Sequence, residues 1–434
     1  MKRLPVTASV RWFLALAALA VCQFALAEPI ASKYQGEFPT AKSKKGLQVE
    51  MVDDALALGV KHAAINVALS QLAIPPGTQV EGDTLNFEAN GHSYAVRKRY
   101  LQSLDAQIRG LSDQGVLVYA ILLVYASEHP GVNQLMMHPR FDPAAPNHMG
   151  QANIANEQSR EYLTALIGFL AERWSNPDGE HGRVVGYIVG NEVNSHWYWN
   201  NVGRASFEEV ADMYWQTLKL VHHAVRRQAS WPRVYISLDH FWNIRYPAGD
   251  ADQTFAGRRL VDDFARRGQE SAEDDFDWHV AYHPYPEDLF NPRFWNDKTA
   301  LPTFDTPRIT FKNLEVLVDY MAQPQLQHQG QPRRIILSEQ GFHSTNDPEG
   351  ELLQAAAYCA AYRKVAKLNG IDAFILHRHV DHPHEGGLNL GLRTREPDGT
   401  RRPKKIYECF RVADTPQWHE AFEFALPILG REEW

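Results

Sequence analysis

Val184-Val185-Gly186-Tyr187-Ile188-Val189-Gly190-Asn191-Glu192 is the stretch on which the reading of this chain turns. Its first part is apolar without alternation, the pattern of a strand covered on both faces, and such strands belong to parallel sheets. It then breaks into Gly190, Asn191 and Glu192 at its carboxyl end. The same order recurs twice: Arg334–Leu337 runs into Ser338-Glu339-Gln340-Gly341, and Trp278–Tyr282 runs into His283-Pro284-Tyr285. In a (β/α)8 barrel the carboxyl ends of the strands face the catalytic mouth, so polar residues at those ends converge on one place.

Outward from these segments, short apolar runs alternate with amphipathic helical stretches. A helix near Val49–Leu58 precedes a strand at His62–Leu69, and a helix at Tyr100–Ser112 precedes a strand at Gly115–Tyr125. Helices are predicted at Ile154–Trp174, Phe207–Arg227, Gly257–Gly268, Lys312–Met321 and Glu351–Leu368, with further strands at Arg233–Leu238 and Ile371–Leu376. Asn90-Gly91, between Thr84–Phe87 and Ser93–Val96, is a strong two-residue hairpin signal and reads as an insertion. Seven core strands are counted this way; an eighth, placed in Ile30–Pro39, would close a barrel with long loops at its catalytic face. An open doubly wound sheet of seven strands is the competing architecture, and the polar strand ends favour the barrel.

Lys2, Arg3 and Arg11 followed by an apolar run from Trp12 to Ala27, ending Ala25-Leu26-Ala27, have the form of a cleavable signal peptide. Residues 1–27 are thus expected to be removed on export to the periplasm or the extracellular space, with Glu28 as the mature start. A lipoprotein reading at Cys22 is disfavoured by the bulky Val21 before it. The segment is short for a membrane span and closely followed by polar chain, an uncleaved signal anchor being the alternative, and no later segment approaches spanning length. Residues 28–434 are read as a single barrel domain, near the upper end of the ~200 to more than 400 residues of such barrels. A net charge of -8 argues against nucleic acid as a partner, since that requires a basic surface. Cys359 and Cys409, the two cysteines beyond the leader, read as buried thiols that an oxidising compartment would allow to pair.

The chemistry sits at the strand ends. A lone glutamate there commonly pairs with Arg or Lys. Two at matching positions, Glu192 and Glu339, among His, Tyr and Asn, match the paired carboxylates of glycoside hydrolysis. One protonates the leaving oxygen; the other attacks the anomeric carbon or activates water.

Taken together, Gly186-Tyr187-Ile188-Val189-Gly190-Asn191-Glu192, Ile335-Ile336-Leu337-Ser338-Glu339-Gln340-Gly341, His283-Pro284-Tyr285 and the Gly59-Val60-Lys61-His62 lead-in to strand two resemble the clan A, cellulase-like retaining glycoside hydrolases. The resemblance runs from about Gly46 to Gly391 in the right order. It implies Glu192 as acid/base at the end of strand four, Glu339 as nucleophile at the end of strand seven, Tyr285 as the donor holding that nucleophile, and a carbohydrate substrate. It implies Asn191 as a contact to the sugar 2-hydroxyl, with His283 beside it. Two departures stand out. Asn66 occupies the end of strand two, where relatives commonly carry Arg, and His377-Arg378-His379 follows strand eight, where they tend to carry Trp. Asn66, His377 and His379 are therefore expected to meet substrate in their own way, within what looks like a separate bacterial secreted branch.

Aromatic residues in mouth loops offer platforms for sugar faces. His196-Trp197-Tyr198-Trp199 follows the acid/base, Phe241-Trp242 follows strand five, and Phe290 and Trp295 lie beyond strand six; Trp197 and Trp242 are the first expected platforms. No cofactor or metal is expected. A second reading assigns His377–Glu385, rich in His, to a metal-dependent hydrolase, although the chain has no HExxH motif. A third is a barrel that binds glycans without cutting them.

Overall fold

In the computed structural model, residues 30–434 are described, apart from 79, 272 and 273. The expected leader lies outside these residues. The eight parallel strands of a closed barrel are β1 (Lys45–Gln48), β2 (His62–Ala68), β3 (Leu117–Tyr125), β4 (Val184–Val189), β5 (Arg233–Leu238), β6 (Trp278–Tyr282), β7 (Ile335–Leu337) and β8 (Ile371–Leu376). Each pairs with the next, and β8 returns to β1 through Gly46↔Ile375 and Leu47↔Leu376. The helices α1 (Val52–Ala57), α2 (Lys98–Ser112), α3 (Glu157–Arg173), α4 (Phe207–Gln228), α5 (Gly257–Glu270), α6 (Glu315–Met321), α7 (Pro348–Lys367) and α8 (Lys405–Val412) follow strands one to eight in turn. The fold is a (β/α)8 barrel, and the open sheet is excluded by its closure.

The first strand is not where the sequence placed it. Ile30–Pro39 forms no barrel strand; it crosses the amino-terminal face, where Tyr34 pairs with Ala229 and Phe38 packs against the inner core. There the guanidinium of Arg233 lies 3.7 Å from the Phe38 ring centroid, and Arg233 and Arg334 both pair with Asp372. The true β1, Lys-Gly-Leu-Gln, has one large apolar residue and so carries no apolar run to detect. Its Gly46 is required by packing, since a Cβ would lie 2.9 Å from the side chains of both His62 and Ile375.

The hairpin forms as predicted, Thr84–Ala89 against His92–Arg97, with Asn90 and Gly91 both at positive φ as a type I′ turn demands. It packs outside the barrel, the Phe87 ring stacked on Phe169 of α3 at 4.4 Å. α4 opens with a capping box between Ser206 and Glu209, and α7 with Pro348 in its first turn behind the Asp347 cap. Inside the barrel, Tyr119, Tyr235, Ile121, Ile336 and Ile375 fill the centre. Met149 joins them from a two-residue antiparallel strand laid on the end of β3. Cys359 on α7 and Cys409 on α8 are buried free thiols in contact, burial together with the neighbouring thiol pushing Cys359 well above its ordinary pKa. Among the described residues no helix is long and apolar enough to cross a membrane.

Candidate active site

After β4 the chain turns sharply. Gly190 has φ 72°, and Glu192 itself sits in the left-handed region at φ 38°, ψ 53°. A residue other than glycine held there costs on the order of 1–3 kcal/mol and persists only where its surroundings enforce it. The enforcement comes from β5. Ser237 Oγ accepts the Glu192 N–H at 3.0 Å. The buried carboxylate of Asp239 accepts from Asn194 Nδ2 (2.5 Å), Ser195 Oγ (2.5 Å) and the Phe241 N–H (2.9 Å), while its own N–H donates to Asn194 Oδ1. Burial, and then the charge of Glu192, push Asp239 up to about 7.

Glu192 and Glu339 meet across the mouth. One oxygen of each and one ring nitrogen of His283 all lie within 4.8 Å of one another. His283, buried at the end of β6, has Nδ1 2.9 Å from Glu192 Oε1 and Nε2 3.0 Å from Ser338 Oγ. Burial alone would lower the His283 pKa, but the bond to Glu192 and the charges of both glutamates raise it. Glu339 accepts from the Tyr285 hydroxyl at 3.3 Å and from Gln48 Nε2 at 3.2 Å. Gln48 Oε1 in turn faces His377 Nδ1 at 2.6 Å, and His377 Nε2 faces Glu385 Oε2 at 2.9 Å. Burial pushes the Glu339 carboxyl up, yet the fields of His377 and His283 and the Gln48 hydrogen bond outweigh it and leave the pKa lowered. Tyr285 is driven well above its ordinary value by burial and by Glu339, so it stays a proton donor.

The other expected site residues divide. Asn191 is half-buried beside Glu192, and Asn66 is exposed at the end of β2 in a cavity that Gln48 also lines. His377 belongs to the site, holding Gln48. His379 does not. Its side chain has no exposed surface, its Nε2 is bound to Asp54 Oδ2 at 2.8 Å, and its Nδ1 faces the N–H groups of Glu50 and Met51. Trp197 and Trp242 are not platforms either. Trp197 is buried beneath Arg204, and Trp242 lies wholly in the outer core, edge-on to Tyr320 at 5.0 Å. In the same short helix, His196–Trp199, the rings of Tyr198 and Trp199 are partly exposed, and Trp199 packs on the inner core as does Tyr125 at the end of β3.

Sequence reasoning missed Gln48, Tyr125, Ser338 and Asp239. Asp239 directly follows the apolar run of β5, the same signal that marks Glu192 and Glu339. Among the described residues Glu192, His283 and Glu339 are the group whose donor atoms lie close enough together to hold a cation. The His377–Glu385 loop is not such a group. Its side chains are engaged with one another and with other elements: His377 takes Gln48 and Glu385, Arg378 takes Glu385, and His379 takes Asp54.

Residues 37–434 match the family of unknown function DUF5722. No curated protein matches the chain. Solved structures of similar fold include a β-glucosidase from Pyrococcus furiosus, with 15% identity, a TM-score of 0.52, and 87% of this chain and 86% of that one covered. A family 39 glycoside hydrolase from Bacteroides cellulosilyticus has 14% identity, a TM-score of 0.50, and 88% and 63% covered. The AHE enzyme from Alicyclobacillus herbarius has 13% identity, a TM-score of 0.54, and 83% and 84% covered. At such identities the likeness speaks to the fold, and function has to be argued from the site.

Proposed function

The chain belongs to the DUF5722 family, and we propose that it is a retaining glycoside hydrolase acting on O-glycosidic bonds of an oligo- or polysaccharide. The observation that carries this reading is the approach of Glu192 and Glu339 at the barrel mouth, with oxygens within 4.8 Å. Retaining enzymes hold their carboxyl groups ~5–5.5 Å apart, whereas inverting ones leave ~6.5–9.5 Å for a water between them. The names β-glucosidase and glycoside hydrolase among proteins of like fold support the same class.

The surroundings divide the labour. Glu339, ionised and aimed by Tyr285 and Gln48, attacks the anomeric carbon while Glu192 gives its proton to the departing oxygen. Glu192 then takes a proton from water, which opens the glycosyl-enzyme with a second inversion. His283, bound to Glu192, holds the acid/base in place and shares the charge that changes there. Product stereochemistry tests the proposal: proton NMR during turnover should show the first-formed hemiacetal with the anomeric configuration of the substrate. An inverted first product rejects it. Turnover that disappears with a chelator and returns with a divalent metal favours a cation held by Glu192, His283 and Glu339 instead.

Asp239 offers a second test. Its hydrogen bonds hold the loop that carries Glu192, and bonds to a charged group contribute roughly 1.5–3 kcal/mol each. Asp239→Asn should lower kcat by about 10- to 100-fold on that basis. Because Asp239 is itself pushed up to about 7, its removal should also move the part of the kcat–pH profile that its own ionisation shapes near neutral pH. A uniform loss with no such movement would make its role purely structural. The native state holds the Asp239 proton more tightly than the unfolded chain does. Wild-type stability should therefore fall as pH rises from ~4 towards 7, and the variant should lack that share of the decline.

A further inference from the structure

Beside the nucleophile lies a cavity of about 460 Å³ between the ends of β1, β2 and β8. This is within the ~300–1,000 Å³ of small-ligand sites. Gln48 forms part of its wall and donates to Glu339, so the cavity begins one side chain from the attacking carboxylate. Asn66, Arg378, His382 and Arg395 line it as well. Asn66 on β2 and Arg378 after β8 sit at the two places where the sequence departs from the cellulase-like pattern, and His382 and Arg395 follow in the segment after β8.

The charge in this corner is unlike the rest of the chain. Arg378 binds Glu385 through Nε and Nη2, and Arg395 binds Glu50 through Nη2, with Arg401 on the same Glu50. Of the charged residues in the cavity lining, Arg378 and Arg395 are basic and Glu50 alone is acidic, in a protein whose net charge is -8. Among the described residues neither Arg378 Nη1 nor Arg395 Nη1 has a hydrogen-bond partner, nor does the Asn66 amide. Arginine donors arranged in forks suit carboxylate and sulfate oxygens better than the hydroxyls of a neutral sugar. The ion pairs already made hold the two guanidinium groups in place, which lowers the ordering cost of binding.

We infer that this cavity is a subsite for a sugar residue bearing an anionic substituent, a uronate carboxylate or a sulfate ester, next to the bond that is cut. The inference rests on the glycosidase reading for the position of that bond. The experiment compares kcat/KM for oligoglucuronate, sulfated gluco-oligosaccharides and neutral gluco-oligosaccharides of matched length, at low salt and at high salt. One of the two acidic series should exceed the neutral one by at least about tenfold, the margin shrinking with salt and falling about tenfold in Arg395→Gln and in Arg378→Gln. Whichever acidic series is preferred identifies carboxylate or sulfate. Equal or better turnover of the neutral series, unaffected by salt, overturns the inference, and this wild-type measurement needs no variant to fold. If no glycoside is turned over, the glycosidase reading fails, and calorimetric titration of the same oligosaccharides decides the subsite alone. Tighter binding of an acidic series, weakened by Arg395→Gln, supports it, and equal binding rejects it.

Discussion

Glu339→Gln should abolish turnover of every glycoside, lowering kcat by about 10⁵-fold or to below detection, the scale expected when a nucleophile that works as part of a unit is removed. The substitution keeps the side chain's size and leaves an amide oxygen able to accept from either Tyr285 or Gln48. The fold should therefore survive, and circular dichroism and thermal melting would show it. What is lost is the attacking oxygen. No leaving group, however good, relieves that loss, and activated aryl glycosides should fail along with natural substrates. Residual turnover above about one per cent in a folded variant would place the nucleophile elsewhere.

Glu192→Ala should behave differently because the residue acts on the leaving group. General acid–base assistance contributes roughly 10²- to 10⁴-fold. Substrates with poor leaving groups should lose that much, while aryl glycosides with acidic phenols should form the glycosyl-enzyme almost normally. The second half of the reaction then lacks its base, and the covalent intermediate accumulates. Azide needs no base and fits the space left by the carboxylate. Adding it should restore turnover on activated substrates and release a glycosyl azide of the substrate's own anomeric configuration. An azide product of opposite configuration, or no rescue, would mean that Glu192 is not the acid/base of a two-step reaction.

The legibility of the site followed the legibility of the strands. β2 to β8 announce themselves as apolar runs, because a barrel strand is covered by helices outside and by packed side chains inside. The residues that break those runs, Glu192, His283, Tyr285 and Glu339, could be read off at once. β1 has no such run: Lys45, Gly46 and Gln48 conceal it, and with it Gln48, the hydrogen-bond donor to Glu339. The tryptophans failed for another reason. The outer layer between helices uses large flat rings as readily as a sugar cleft does, and a ring's position in sequence does not say which side it faces. Trp197 and Trp199 differ by two residues, and only the second retains partial exposure beside the inner core. His379 lies past the end of β8 at Leu376, and its position in sequence does not show that both its ring nitrogens are already taken. Its ring instead ties the loop before α1, through the Glu50 and Met51 N–H groups, to Asp54 in α1, which Arg393 and Tyr407 also hold, drawing the Asp54 carboxyl down to about 2 against the cost of burial.

Gln48 stands on the first strand and His377 follows the last, and the two join hands over the nucleophile at the seam where the barrel closes. Glu339 thus receives its orientation from the two ends of the fold at once. During synthesis nearly the whole polypeptide has to emerge before that seam exists, so a partly made or partly threaded chain holds its glutamates without the frame that arms one of them. Orientation of Glu339 then coincides with completion of the ring, in one and the same event.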